Sequence, residues 1–275
     1  MRHGSLPDAE DLLLDEAETA LDQGDPQRAL TLCDGLLRSA PQHAGALFVR
    51  GDALRAMARL EEAAVAYRAA AVAEPEHASS WASLALTVFE LLRFDEAQRA
   101  SARALRADPA SAEAWWVRAL LAEWRGDMRA RERALAHARW LDPGQYPIPV
   151  ELSAEEIEDV VSTAVEELHP DIQEYLANVA ILLEDMPSES ILRSFDPPAS
   201  PLELLGFFGG HPVGERGGDD PWSQLPPTIY LFRRNLERHA VDRDNLIEEL
   251  RITVFHEVGH FLGLDEDDLG ARGLD

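Results

Sequence analysis

The 275-residue chain contains no lysine: all 25 of its basic residues are arginine. That excludes Schiff-base chemistry and a phosphate-loop lysine. Cysteine is almost as scarce, Cys33 being alone, so an intrachain disulfide, a CxxC metal cluster and a two-cysteine redox site are all excluded. Positive charge is outnumbered, with 51 acids giving a formal net charge of −26. An anionic polymer or membrane surface is repelled by such a chain, so neither nucleic acid nor membrane is expected as a partner. No apolar run approaches the roughly 18 residues of a membrane span, and acids interrupt the first apolar triplet, Leu12 to Leu14. The reading therefore expects a cytoplasmic protein. With 46% hydrophobic residues, the chain can bury a core in each of two domains.

The charge is unevenly spread. Residues 1–145 hold 23 acids and 17 arginines, net −6, and residues 146–275 hold 28 acids and 8 arginines, net −20. Alanine is dense before this seam and thinner after it, and LDPGQYPIPV at the seam holds three prolines and a glycine. A domain boundary is expected there, dividing the chain into 1–145 and 146–275.

Pro7, Pro41, Pro75, Pro109 and Pro143 recur at one constant interval. On that period Leu13, Leu47, Trp81 and Trp115 form one column, Ala17, Gly51, Ala85 and Ala119 a second, and Ala29, Ala63 and Ala97 a third. Two helices approach closely only where the side chain is small, and a proline ends the second helix of each pair. In these columns the segment from about residue 10 to 145 resembles four tetratricopeptide repeats. Arg131 departs from the pattern, standing where the third column calls for alanine. The resemblance implies an all-α superhelix whose groove takes a protein or peptide partner, with Phe48, Arg55, Leu86, Phe89, Trp116 and Leu120 along it. Cys33 falls on a second helix and reads as a small buried hydrophobe. His43 and His77, one repeat apart, read as structural.

The second half opens on a helix. Ser153 and Glu156 are placed for a capping box, and Ile157, Val160, Val161, Ala164, Val165 and Leu168 form its apolar stripe. NVAILLED reads as a buried strand and TIYLFRRN as a second, with an irregular Gly- and Pro-rich stretch from LLGFFGG to LPP between them. A last helix is expected from about Asp244 to Leu262, ended by Gly263.

That helix carries His256-Glu257-Val258-Gly259-His260, an HExxH motif. At 3.6 residues per turn the two histidines project about 40° apart, so both imidazoles reach one Zn²⁺. Glu257 then sits beside the metal, placed as general base for the attacking water. Too little chain follows His260 to supply a ligand from a second long helix, so a third ligand is expected from the tail or from upstream. Asp265, Glu266, Asp267 and Asp268 are the near candidates, and Glu266 holds the spacing of the ligand in HExxHxxGxxH/D sites.

Together with the preceding helix, NVAILLED, LLGFFGG, HPVGER and TIYLFRR, the terminal HEVGHFLGLDEDDL resembles the small bacterial minimal zincins, metallopeptidases with a matrix-metalloprotease-like domain. The resemblance spans about residues 151–270 and implies a small α+β domain, one zinc ion and a peptidase-type site. It also implies a substrate strand pairing with a sheet edge, for which TIYLFRR is the expected partner. Members commonly carry Asp where this chain has Glu266. There is no Met-turn, the last methionine being Met186, which implies a smaller site and a more open cleft. His211 and Arg216 read as a loop histidine and a surface arginine. The function expected is zinc-dependent hydrolysis of peptide bonds, with the repeats recruiting a partner or substrate. The alternative from another class is an interaction adaptor whose zincin domain binds metal without catalysis.

Overall fold

The computed structural model describes residues 9–211 and 226–270. By internal contacts the chain divides into two compact units, Met1–Pro147 and Ile148–Asp275. No described helix is long and apolar enough to cross a membrane.

The first unit is an array of helical pairs: α1 (Ala9–Asp22) with α2 (Pro26–Ser39), α3 (Ala44–Ala56) with α4 (Leu60–Ala73), α5 (Ala78–Glu90) with α6 (Phe94–Ala107), and α7 (Ala112–Trp124) with α8 (Met128–Leu141). The small columns are where the helices meet. Ala17, Ala85 and Ala119 are at most 3% exposed, and Ala29, Ala63 and Ala97 are fully buried. At Gly51 a β-carbon would stand 2.5 Å from the Tyr67 ring, so that crossing admits glycine alone. The turn within each pair recurs on the same period. Gly24, Ala58, Leu92 and Gly126 all have positive φ, and the next N–H in each case donates back into the helix, as from Asp25 to the Ala20 carbonyl and from Asp127 to the Ala122 carbonyl. The large column fastens to the proline column: Trp81 Nε1 donates to the Pro75 carbonyl and Trp115 Nε1 to that of Pro109.

Arg131 does not spoil the fourth pair. Its Nε donates to Glu123 at 2.6 Å, and the two side chains are 6% and 3% exposed. A buried charge is tolerated only with such a partner. His43 Nδ1 accepts the Ala46 N–H and caps α3, and Cys33 lies buried beside Ala17 and Val49, burial pushing its thiol up to about 11. The expected groove needs correction. Phe89 is fully buried, and Leu120 and Leu86 are buried as well, with Phe89 packed edge to face on Phe94. These three belong to the packing between helices, while Phe48, Arg55 and Trp116 keep partial exposure.

The second unit is a three-stranded sheet on two long helices. α9 (Ala154–Glu166) opens on the Ser153–Glu156 capping box, both reciprocal bonds being present. It buries Ile157 and Ala164 against α13 (Arg243–Phe261). α10 (Pro170–Leu176), α11 (Glu189–Leu192) and α12 (Arg233–His239) connect these to the strands β1 (Ala180–Glu184), β2 (Gly206–Gly209) and β3 (Thr228–Phe232). The order is β1-β3-β2, with β1 parallel and β2 antiparallel to β3.

Three strand expectations are overturned. NVAILLED forms an edge strand rather than a buried one: Leu182 is exposed on the face away from α9, and Leu183, on the α9 side, is exposed at a cavity left between helix and strand. TIYLF is the central strand, hydrogen-bonded on both sides, so it has no edge to offer a substrate. The chain also leaves the strand at Arg233, where α12 begins. Within the stretch read as irregular, GFFG forms β2 at the opposite edge of the sheet.

Candidate metal centre

α13 starts on Asp242, whose side chain accepts the Asn245 N–H. Leu246, Leu250, Val254, Val258 and Phe261 hold one face of this helix in the core. Glu257 shares that buried side at 5% exposure, while His256 and His260, one turn apart, sit half-buried at its border. Their rings lie nearly perpendicular with Nε2 atoms 3.1 Å apart.

Gly263, at φ +84°, turns the chain back over the helix end. The turn brings the Leu264 carbonyl to His260 Nδ1 at 3.1 Å. A proton on Nδ1 satisfies that carbonyl and leaves the Nε2 lone pair directed at its neighbour, the tautomer a metal ligand needs. The short helix α14 (Glu266–Gly270) follows. It is seated by Leu269, fully buried over Gly259, where a β-carbon would stand 2.3 Å from Leu269 Cδ2.

This seating places Glu266 with its oxygens 3.3 Å from His260 Nε2 and 3.7 Å from His256 Nε2. Donor atoms of His256, His260 and Glu266 lie within 4.8 Å of one another. Two imidazole nitrogens and a carboxylate are a zinc donor set, and two such nitrogens at about 2.0–2.1 Å from a tetrahedral ion stand about 3.3 Å apart. The residues present therefore fit the group. Of the other acids named from the sequence, Asp265 lines the cleft, but its Oδ1 accepts the Asp268 N–H at the head of α14. Among the described residues Asp267 and Asp268 do not enter the donor group.

Glu257 faces β2. The Phe208 N–H binds its carboxylate and draws its pKa down, but burial dominates and, with the nearby charge of Glu266, pushes it up to about 8. Gly206 makes room for it: a β-carbon there would lie 2.7 Å from Glu257 Oε1 and 2.7 Å from Thr253 Cγ2. Sequence reading gave Gly206 no role, and a glycine required by a side chain remote in the sequence leaves no local signal.

The Phe232 N–H donates to the Leu205 carbonyl, so the alternation of an antiparallel pair has Phe207 and Gly209 bonding β3 and turns the main-chain groups of Gly206 and Phe208 outward. The cleft beside this edge has a volume of about 540 Å³, with His256, Glu257, His260 and Glu266 on one wall and Phe195, Leu204 and Phe207 on the other. Among the described residues His211, just past β2, does not line it. Arg216 lies outside the described residues.

The tetratricopeptide repeat family matches residues 14–78 and 82–139, and the zincin-like metallopeptidase family matches residues 176–274. No curated protein matches the chain. Among solved structures, MamA 41-end from Desulfovibrio magneticus is similar at 18% identity and TM-score 0.44, over 63% of this chain and 92% of that one. A thermophilic TPR protein of Thermus thermophilus is similar at 18% identity and TM-score 0.45, over 62% and 87%. The chain carries tetratricopeptide repeats in its N-terminal part and a zincin-like metallopeptidase domain in its C-terminal part.

Proposed function

We propose that the C-terminal unit is a zinc-dependent peptidase and that the repeats recruit a protein partner or substrate to it. His256, His260 and Glu266 hold one zinc ion, and Glu257 is the general base. The observation that carries this reading is the convergence of the two Nε2 atoms, 3.1 Å apart, with the Glu266 carboxylate beside the buried Glu257. A zinc ion held there supplies Lewis-acid polarisation of the scissile carbonyl.

The chain's own residues do the rest. The outward main-chain groups of Gly206 and the outward carbonyl of Phe208 pair with an extended peptide and fix the scissile bond over α13, replacing TIYLFRR in that role, while the Phe208 N–H stays with Glu257. Phe195, Leu204 and Phe207 take up a large apolar side chain and exclude water around it. Glu257 removes the proton from the attacking water and delivers it to the leaving amine nitrogen. Its contact with the Phe208 N–H aims the carboxylate at the cleft.

Incubation of the full chain with a quenched-fluorescence peptide library tests this. Cleavage is expected in the wild type and is lost in Glu257→Gln while bound zinc is retained. Cleavage that survives Glu257→Gln would overturn the assignment.

A further inference from the structure

In a chain with two acids for every arginine, guanidinium groups readily find carboxylates. Arg28 pairs with Glu16, Arg50 with Asp34, and Arg93 with Glu61. In the fourth helical pair Arg131 keeps this habit with Glu123, but three neighbouring arginines do not. A cavity of about 300 Å³ is walled by α6, α7 and α8, and Arg118, Arg125 and Arg133 all line it. Among the described residues none of the three makes an ion pair with a carboxylate. The Arg125 guanidinium donates to the neutral amide oxygen of Gln98. Asp127 is the acid on this wall, and its Oδ1 already accepts the Ala130 N–H as the N-cap of α8.

Three guanidinium groups around one small cavity repel one another, and Arg118, half-buried, is the least screened by solvent. Acids were plentiful enough to neutralise them. Arg118 on α7 and Arg125, which caps the end of that helix, are two turns apart on one side of it, and Arg133 comes from α8, so the cluster is built by the packing of the pair. Trp115 completes the wall with its Nε1 spent on the Pro109 carbonyl, which leaves an apolar ring beside the charges. Arg118 lies about 200° round the helix from Trp116, so this cavity is separate from the groove expected to take a partner.

We propose that the cavity binds a phosphate monoester, its phosphoryl oxygens on Arg118, Arg125 and Arg133 and its organic group against Trp115. A phosphoryl group is the oxyanion that matches three forks. It presents three acceptor oxygens and close to two negative charges, whereas a carboxylate presents two oxygens and one charge. The volume suits one phosphorylated side chain or a small free ester. The site is independent of the zinc site.

Calorimetric titration of the full-length protein tests it, with phenyl phosphate, a phosphoserine peptide and the unphosphorylated peptide as probes. Phenyl phosphate is expected to bind the wild type and His256→Ala alike. Binding weakens at least tenfold in Arg133→Gln and in Arg118→Gln, and is unchanged in Arg106→Gln, an exposed arginine outside the cavity. Because Arg133 is itself exposed, its replacement reads binding without loss of folding. A phosphopeptide that binds at least tenfold more tightly than phenyl phosphate assigns the ester to a protein; equal or weaker binding assigns it to a free compound. Absence of binding by both phosphorylated probes, or equal weakening in Arg106→Gln, would overturn the proposal.

Discussion

Gly206 and Glu257 are fitted to each other: the missing side chain of the one is the space occupied by the carboxylate of the other, with 2.7 Å between a would-be β-carbon and Oε1. Gly206→Ala therefore displaces the proposed general base without touching the proposed zinc ligands. Peptide cleavage is expected to fall about 100-fold or more, the range for loss of general-base catalysis. Zinc content is expected to stay at the wild-type level, and measuring both on one preparation checks the claim.

The proposed third donor depends on a second such fit. Glu266 reaches the histidines because Leu269 seats α14 on Gly259, leaving no room for a β-carbon. Gly259→Ala lifts that helix. A weakening of zinc affinity by about 10- to 100-fold is expected, as for loss of an outer support of a ligand, and competition with a chromogenic chelator measures it.

In the first unit Glu113 sits among Ser83, whose hydroxyl donates to it, Arg55, Asp52 and Glu90. Burial pushes its carboxyl up to about 7 against the favourable charge of Arg55. The folded state thus holds this proton more tightly than the unfolded chain. The stabilisation is complete below the unfolded value near 4.5 and is lost as pH rises to about 7. Denaturant unfolding at pH 5 and pH 7.5 is expected to show a decline of about 2 kcal/mol from this group. Glu113→Gln removes that share of the pH dependence.

The buried pair of the fourth repeat gives an asymmetric result. Arg131→Ala leaves Glu123 buried without its main cation and is expected to cost about 3–5 kcal/mol. The double variant Arg131→Met with Glu123→Leu is expected to recover most of the loss, since an apolar pair of similar volume replaces a buried ion pair at little cost. Equilibrium unfolding of the single and double variants measures the difference.

What could be read from the sequence follows from where each constraint lies. The repeat was legible because a helix crossing that recurs once per repeat forces small residues into columns, and the HExxH pair because two positions four apart share one helix face. β2 was not, since two of its four residues are glycine and read as loop. The central place of TIYLF was hidden too, because strand order is decided by pairing partners remote in sequence. Arg131 looked like a defect for the same reason: Glu123, which neutralises it, stands on the neighbouring helix. Spacing in the sequence favoured Glu266 over Asp265 as the third ligand, but α14, whose first turn Asp265 caps, left no local signal.

The central claim is a zinc ion held by His256, His260 and Glu266. Its most direct test is elemental analysis of the purified, tag-free protein beside His256→Ala, His260→Ala and Glu266→Gln. About one zinc per wild-type chain is expected, absent from both histidine variants and reduced in Glu266→Gln. A wild-type protein that carries no zinc and takes up none on titration would contradict the account.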